Sequence, residues 1–161
     1  MPRPNVDERA PDFILQNAGA KPFRLGEVLA QKVVVLYFYP KDETSGCTVE
    51  ACAFRDAYED FVAAGAEVVG VSRDDAASHT QFAAHYNLPF TLLSDIGGTV
   101  HALYGIQTRL GILHDRVTFV IDRSGIVRSV FTSMVDMRGH IQSSLPVVRK
   151  LVDAVTVPST T

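Results

Sequence analysis

The sequence has little of what marks a membrane protein, a nucleic-acid-binding protein or a disulfide-stabilised protein. Its longest apolar run, VVVLYFY at 33–39, is far shorter than the roughly 20 residues of a membrane-spanning helix. The net charge is only -3, with acidic and basic residues interleaved, which argues against nucleic acid or an anionic membrane as a partner. There is no tryptophan, and there are only two cysteines. The start, MPRPNVDERAPDF, lacks the apolar stretch of a signal peptide, so we expect a cytoplasmic location, where a permanent structural disulfide is disfavoured.

The pattern of apolar residues predicts one α/β domain over residues 1–161, with a loose tail at about 156–161. Strands that alternate with helical periodicity predict a mixed central sheet with helices on both faces. Pro146 lies inside the last predicted helix and predicts a kink or a late start there. The predicted elements are, in order, a hairpin at 12–25 followed by a short helix, a buried strand at 32–40, a helix that stops at Gly65, a buried strand at 66–72, a helix capped by Asp74 or Asp75, a short strand at 90–95, a short helix at 98–105, a hairpin at 116–131 and a helix from about Gly139 to Ala154.

Both cysteines lie in one short segment, PKDETSGCTVEACAFRD at 40–56. Pro40 closes a buried strand and helical spacing begins after it, so Cys47 is expected in the first turn of a helix at the carboxyl end of that strand. Open α/β folds place their sites at such ends. The unpaired N–H groups and the dipole of a helix N-terminus favour a thiolate, which is the nucleophilic form of cysteine. The segment therefore predicts a reactive Cys47.

The charges close to Cys47 in sequence do not complete such a site. Three acidic residues, Glu50 among them, crowd the thiol, so a cation from elsewhere in the chain must fold against it. Arg116 is the best candidate, because it begins the strand RVTFVID, which can lie beside VVVLYFY in the sheet. Thr44, three residues before the cysteine, can cap the helix and hydrogen-bond the thiolate or its substrate. For Arg55, an ordinary surface ion pair is at least as good an interpretation as a role beside the thiol.

Cys52 follows Cys47 after five positions, a spacing too wide for the C-x-x-C of a redox pair or a zinc knuckle. In an intact helix the two Cα atoms are about 8.6 Å apart by helical geometry, which exceeds the ~7 Å that a disulfide tolerates. If the two cysteines react with each other, the helix must unfold locally. The spacing alone leaves open that Cys52 is a small buried apolar residue on the inner side of the helix.

The segment YFYPKDETSGCTVEACAFRD resembles the active-site segment of the peroxiredoxins, specifically the Q type, also called bacterioferritin comigratory protein. The family pattern P-x-x-x-T-x-x-C is met by Pro40, Thr44 and Cys47. Cys52 matches the resolving cysteine that many Q-type members carry, and Arg116 in DRVTFVID matches the active-site arginine of the family.

The resemblance extends over nearly the whole chain. RAPDF at 9–13 and LLSDIGGTVHALYGI at 92–106 also resemble family segments. The chain departs from the family at Ser45, where many members carry proline, and at QTRLGILH, residues 107–114, which are expected to border the site and to influence substrate preference.

The resemblance implies a thioredoxin fold with an N-terminal β-hairpin and a thiol-dependent peroxidase. Cys47 would attack a hydroperoxide and become a sulfenic acid. Arg116, the Thr44 hydroxyl and the Cys47 backbone N–H would bind the peroxide, and Pro40 would shield the thiolate. Cys52 would then form an intramolecular disulfide with Cys47, and thioredoxin or a glutaredoxin would reduce it. The resemblance implies no metal and no organic cofactor, and a monomer.

Three alternatives use the same residues differently. A redox sensor shares the first chemical step, so the sequence leaves it open. A general thiol–disulfide oxidoreductase would want the C-x-x-C pair that is missing here, and a copper chaperone would want C-x-x-x-C with a placed histidine. The five histidines are scattered in sequence and are interpreted as surface or helix-packing residues rather than metal ligands (His79, His85, His101, His114 and His140).

Overall fold

A computed structural model describes residues 2–109 and 113–156. The tail expected at about 156–161 lies outside the described residues, apart from its first position. The strands are β1 (Ile14–Asn17), β2 (Pro22–Arg24), β3 (Val33–Phe38), β4 (Ala66–Ser72), β5 (Thr91–Ser94), β6 (Thr108–Arg109), β7 (Leu113–His114), β8 (Val117–Ile121) and β9 (Val127–Thr132). The helices are α1 (Leu25–Leu29), α2 (Ser45–Ala63), α3 (Ala76–Tyr86), α4 (Thr99–Leu103) and α5 (Met137–Thr156).

Seven of the strands form one mixed sheet in the order β2-β1-β5-β4-β3-β8-β9. β3 is parallel to β4 and antiparallel to β8, so the strand that ends before Cys47 lies beside the strand that follows Arg116. Both predicted hairpins are present, as the antiparallel pairs β1–β2 and β8–β9. The sequence therefore predicted the mixed sheet and its central neighbours correctly.

A second small sheet, formed by β6 and β7, was not predicted. Each of its strands has only two residues, which is too short to show a period of two in the sequence. The pair falls within residues 107–114, the segment expected to border the site. Residues 110–112 of that segment lie outside the described residues.

The central strand β3 explains where the two halves of the core form. All six of its residues are buried, and successive side chains point to opposite faces of the sheet. Val34, Leu36 and Phe38 pack with residues of α1 on one face. Val33, Val35 and Tyr37 pack on the other face, with residues of α2, α3 and α5. The predicted helices on both faces are confirmed, and α2 is held against the sheet from its first turns onward.

The helix ends follow the local sequence. Asp75 caps α3, accepting a hydrogen bond from the Ser78 backbone N–H at 2.8 Å, so the second of the two candidate caps is the correct one. Gly65 adopts φ +86, the left-handed conformation that glycine tolerates best, directly after α2 ends. No helix among the described residues is both long and apolar enough to cross a bilayer.

The last helix differs from its prediction. It begins at Met137, before the expected Gly139, and continues through Pro146, so the late start was wrong. Proline lacks the N–H that would bond to the carbonyl four residues earlier, which disfavours it in a helix interior by ~3 kcal/mol. Val148, two residues after the proline, is fully buried in the core cluster that also holds residues of α2. Tertiary packing of this kind outweighs local propensity.

Candidate active site

Cys47 lies where the central strand passes into a helix. β3 ends at Phe38, Pro40 follows in a bend, and α2 begins at Ser45, so Cys47 is in the first helical turn as expected. Its side chain is only 1% exposed. Pro40 is half-buried beside this junction. The thiol is therefore held inside the protein, on the face of the sheet that α2 covers.

The first turn of α2 leaves backbone donors close to the thiol. The Thr48 N–H makes the first i→i−4 hydrogen bond at this end, to the Thr44 carbonyl at 2.8 Å. The amides of Ser45, Gly46 and Cys47 precede that bond, and such N–H groups at a helix start have no partner within the helix. The positive end of the helix dipole thus lies at Cys47.

Arg116 reaches the thiol from the neighbouring strand. Phe38 at the end of β3 pairs with Val117 at the start of β8, which brings the preceding arginine to the β3–α2 junction. The Arg116 Nη1 donates to Cys47 Sγ at 3.4 Å and to Glu50 Oε1 at 2.7 Å. One guanidinium nitrogen therefore joins the thiol to a buried carboxylate.

Gly46 makes room for this arginine. A Cβ at position 46 would lie 3.1 Å from Arg116 Nη2 and 3.1 Å from Met137 Cε, closer than nearly all real Cβ contacts. The absence of a side chain at Gly46 lets the guanidinium approach the helix backbone. The glycine therefore contributes to the placement of the charge beside Cys47.

Glu50 has few hydrogen-bond donors around it. His140 Nε2 faces the Ser133 carbonyl at 2.9 Å and is therefore the protonated nitrogen, so its Nδ1 accepts from the Thr118 hydroxyl at 2.7 Å. That leaves no hydrogen on Nδ1 for Glu50 Oε2, which is 3.5 Å away. Within the described residues Glu50 Oε2 has no hydrogen-bond partner. Arg116 thus supplies the one donor to this carboxylate that the structure describes.

Burial dominates the protonation of this cluster. It raises the pKa of Glu50 from 4.5 to about 7, although the charge and hydrogen bond of Arg116 act to lower it. Burial also lowers the pKa of His140 to about 4, so the ring is neutral at pH 7. Burial alone would lower the pKa of Arg116, but the charges of Glu50 and Cys47 raise it above its usual value. The guanidinium is a permanent cation, whereas Glu50 is close to half-ionised at neutral pH.

Of the other candidate residues, Thr44 departs from its predicted capping role, whereas Arg55 forms the ordinary ion pair that was one of its two interpretations. Thr44 occupies the N-cap position of α2, but its side chain makes no capping hydrogen bond and donates instead to the Lys41 carbonyl at 2.8 Å. Arg55 binds the Tyr86 carbonyl at 2.8 Å and Asp56 at 3.0 Å, so it serves the packing of α2 against α3.

Cys52 is half-buried and, like Cys47, a free thiol. Cys52 is thus less buried than expected for the alternative of a small buried apolar residue on the inner side of the helix. α2 is wound without interruption through both cysteines, and that geometry keeps them too far apart to bond. Among residues 2–109 and 113–156, no group of three or more His, Cys, Asp or Glu side chains is placed to hold a metal ion.

Comparison with known families decides the relationship that these residues suggest. The family model described as "AhpC/TSA family" matches residues 6–130, more than three quarters of the chain. The chain belongs to the AhpC/TSA family. The matched span includes β3, the first turns of α2 and Arg116, and so covers Cys47, Glu50 and Arg116, whereas His140 lies beyond it.

Within the AhpC/TSA family, the similar proteins are peroxiredoxins of the Q type, which confirms the resemblance seen in the sequence. The chloroplastic peroxiredoxin Q of Triticum aestivum is 47% identical over 142 residues, 88% of this chain. That match covers 65% of the wheat protein, so the chain spans about two thirds of the length of such relatives. The cytoplasmic location stays a prediction.

Solved structures agree with this relationship. Peroxidoxin BcpB from Mycobacterium tuberculosis is 36% identical with a TM-score of 0.87, covering 92% of this chain and 99% of that one. A Xanthomonas campestris bacterioferritin comigratory protein, in a structure concerned with its alkyl peroxide reduction activity, is 31% identical with a TM-score of 0.78, covering 87% of this chain and 92% of that one. The peroxiredoxin form of the thioredoxin fold is thus confirmed.

The pairing of Glu50 with Arg116 was not predicted from the sequence, where Glu50 was interpreted only as a negative charge near the thiol. The spacing held a signal, because residues three apart share a helix face, so a side chain at 50 points to the same side as Cys47. Three of the histidines take the packing role, one of the two roles interpreted from the sequence, since these helix residues are buried and hydrogen-bonded (His79, His101 and His140).

The raised pKa of Glu50 predicts a pH-dependent stability that Glu50→Gln removes. A carboxyl whose pKa rises on folding stabilises the protein fully below pH 4.5, and the stabilisation is lost as the pH rises through about 7. The loss amounts to about 3 kcal/mol. We therefore expect the unfolding free energy of Glu50→Gln, relative to wild type, to increase by about that amount from pH 4.5 to 7. Urea unfolding across this range measures it.

His140 makes the comparison with the wild type necessary. Its pKa is lowered, so its contribution is lost as the pH falls from 6.5 towards 4, and this partly cancels the Glu50 effect in the wild-type curve. Glu59→Gln is a matched control, because Glu59 is an exposed residue of the same helix. A difference between Glu50→Gln and wild type that is flat with pH contradicts the prediction.

Proposed function

We propose that this protein is a thiol-dependent peroxidase that reduces hydrogen peroxide and organic hydroperoxides. The observation that carries the proposal is the contact of Arg116 Nη1 with Cys47 Sγ at a helix N-terminus. A buried thiol with a fixed cation and free backbone donors is arranged to react as a nucleophile. Membership of the AhpC/TSA family and the alkyl peroxide reduction of the similar Xanthomonas campestris protein support this reading.

In the first step the Cys47 thiolate attacks the terminal oxygen of the hydroperoxide. The S–O bond forms as the O–O bond breaks, Cys47 becomes a sulfenic acid, and the departing alkoxide or hydroxide takes a proton from water. Arg116 and the Cys47 backbone N–H stabilise the negative charge that moves onto the departing oxygen. The Thr44 hydroxyl gives its hydrogen to Lys41, so its lone pairs can accept the O–H of the peroxide. Pro40 shields the sulfur.

In the second step Cys52 resolves the sulfenic acid. The Cys52 sulfur attacks the Cys47 sulfur, a disulfide forms and water leaves. Because a wound α2 keeps the two cysteines apart, the first turns of the helix unwind before this step. Cys52 is half-buried at the start, so it needs only a local change to become available.

A dithiol partner then restores the reduced protein. Thioredoxin or a glutaredoxin attacks the disulfide, forms a mixed disulfide and leaves both cysteines reduced. We propose that the protein works as a monomer in the cytoplasm and needs neither a metal nor an organic cofactor. Hydrogen peroxide consumption coupled to thioredoxin oxidation tests the activity. Insulin reduction without peroxide turnover would instead indicate a general disulfide reductase.

Cys52→Ser separates the two steps. In this variant we expect one peroxide to be consumed per chain, at the wild-type rate, because Cys47 and Arg116 are untouched. Turnover with thioredoxin should then stop, since no disulfide can form. A small external thiol should restore turnover by attacking the sulfenic acid directly. Stopped-flow peroxide loss and a sulfenic-acid-specific reagent measure both phases.

Ala53→Ser is the matched control, because it places a hydroxyl on the neighbouring half-buried residue of the same helix and keeps both thiols. It should turn over normally with thioredoxin. Undiminished turnover of Cys52→Ser with thioredoxin would show that Cys52 is not the resolving cysteine.

A further inference from the structure

A buried carboxylate lies at the upstream end of the reactive segment. Asp42 is only 4% exposed, and both of its oxygens accept hydrogen bonds. Oδ1 accepts from the Tyr39 hydroxyl, and Oδ2 accepts from the Ser78 hydroxyl at 2.8 Å and lies 2.7 Å from His79 Nδ1. The backbone N–H of Asp42 donates to Asp74 Oδ2 at 2.8 Å. Residue 42 is thus held by its side chain and its main chain at once.

His79 ties this carboxylate to the body of the sheet. Its ring is 0% exposed, and its Nε2 lies 2.9 Å from the Leu93 carbonyl in β5. Both ring nitrogens face oxygen acceptors, so the Asp42–His79 pair keeps a proton between Nδ1 and the carboxylate as well as one on Nε2. Such buried charge-assisted hydrogen bonds are strong and directional. The pair therefore links the loop before α2 to α3 and β5.

The chain becomes exposed directly after Asp42. Glu43 adopts φ +65, a left-handed conformation that is strained for a residue with a side chain, and its carboxylate makes an exposed contact with His85 at 3.1 Å. Thr44 is exposed. Burial returns in the first turns of α2, where Cys47 is 1% exposed and Glu50 and Ala51 are 0% exposed. Residues 43–46 thus form a mostly exposed connection between the fixed residue 42 and the buried thiol.

We infer that Asp42 and His79 are positioning residues that form the fixed upstream end of the segment that unwinds. In the reduced protein Asp42 and His79 hold residue 42 in place, and this fixes the positions of Thr44 and Cys47. In the disulfide form they hold residue 42 in the same place, so the conformational change is confined to residues 43–52. The second part rests on the disulfide of the proposed function, and the first part does not.

Amide hydrogen exchange, measured residue by residue by NMR, tests both parts. In reduced wild type the Asp42 amide should be protected by its bond to Asp74. After one equivalent of hydrogen peroxide, the helical amides from Thr48 to Cys52 should lose protection while that of Asp42 keeps it. An Asp42 amide that becomes as exchangeable as those of residues 48–52 would overturn the fixed end.

Variants test the reduced state by itself. In Asp42→Ala we expect faster exchange of the Thr48 amide, the first that bonds within α2, and a roughly tenfold to hundredfold slower reaction of Cys47 with hydrogen peroxide, the size expected when a reacting group is misplaced by about 1 Å. Ser78→Ala removes the hydroxyl that donates to Asp42 Oδ2, and it should fold because Ser78 is half-buried. It should change the amide exchange and the Cys47 rate in the same directions as Asp42→Ala, by roughly threefold. An unchanged Cys47 rate and unchanged exchange in Ser78→Ala overturn the inference even if Asp42→Ala does not fold.

The chain offers a matched control in a second buried pair. Asp95 and His101 lie 2.6 Å apart at the N-terminal end of α4, and His101 packs on Phe38, which belongs to the core on the opposite face of the sheet from Cys47. Asp95→Ala should lower stability but leave the Cys47 rate unchanged. If Asp95→Ala slows Cys47 as much as Asp42→Ala does, the effect is general destabilisation and the inference fails.

A wrong resolving step would be recognised from the number of thiols that remain after peroxide treatment. If wild type treated with peroxide keeps two titratable thiols, the resolving step is wrong, and so is the second part of the inference. The exchange and rates of the reduced variants then decide the first part on their own.

Discussion

Cys47→Ser is expected to reduce peroxide consumption to the uncatalysed background, with or without thioredoxin. A serine hydroxyl is not ionised near neutral pH and is a poor nucleophile towards the O–O bond, whereas a thiolate attacks it readily. The substitution replaces one sulfur in a site that is otherwise held by Arg116, Glu50 and the backbone of α2. The fold should therefore survive while the chemistry is lost. Peroxide loss under excess thioredoxin measures the chemistry, and a far-ultraviolet circular dichroism spectrum measures the fold.

The pair of single cysteine variants assigns the reacting sulfur. Cys52→Ser keeps the first oxidation, and Cys47→Ser keeps none, because only Cys47 has Arg116 against its sulfur. Peroxide consumption that survives in Cys47→Ser and disappears in Cys52→Ser would show that the half-buried thiol is the one that reacts first. The roles assigned to the two cysteines would then be exchanged.

The placement of Cys47 could be predicted from the sequence because each step is local. A run of β-branched and aromatic residues indicated a strand buried on both faces, Pro40 ended it, and helical spacing followed. The contact with Arg116 needed one longer step, the pairing of two strongly hydrophobic strands. That step succeeded because few strands in this chain have the composition of a central strand.

The surroundings of the thiol could not be predicted in the same way. Whether Glu50 is paired or exposed depends on how α5 packs on α2, and the spacing of residues on one helix does not reveal its neighbours. His140 and His79 were interpreted as surface or packing residues because a histidine has no sequence pattern that marks burial. Their burial becomes evident only when Thr118 and Asp42 supply hydrogen-bond partners from other elements.

At Pro146 the local rule is correct, since proline disfavours a helix interior, but tertiary packing outweighs it. The prediction of a kink or a late start followed from the missing N–H of proline, and the late start is the part that was wrong. The helix nevertheless continues, since Val148 is fully buried in the core that α2 and α5 share. Burial is worth about 1.5–3 kcal/mol per large aliphatic side chain, so the several that α5 packs into or against this core together outweigh the ~3 kcal/mol cost of the proline (Ile141, Leu145, Val148 and Leu151).

Arg116→Met has the second largest expected effect. The substitution keeps an unbranched apolar side chain of similar length but removes the donor to Cys47 Sγ and the charge that faces it. Removing one such donor to a developing negative charge slows catalysis by roughly 10²–10³. We expect a loss of that size in the rate constant for the first oxidation of Cys47, measured by stopped flow in a single turnover.

The second partner of Arg116 makes the origin of this loss testable. Arg116→Met leaves Glu50 buried without its donor, so the carboxyl should take up a proton and become neutral. Glu50→Gln in the same background should then change the rate little, because both forms of residue 50 are uncharged. When Arg116 is present, Glu50→Gln removes the carboxylate that shares the guanidinium with Cys47, so the rate of Cys47 oxidation should change. The effects of Arg116→Met and Glu50→Gln on this rate should therefore be non-additive. Arg55→Met is the control, since Arg55 lies on α2, the helix of Cys47, but binds Asp56 and the Tyr86 carbonyl. An equal loss in Arg55→Met would mean that the rate reports the stability of α2 rather than the cation at the sulfur.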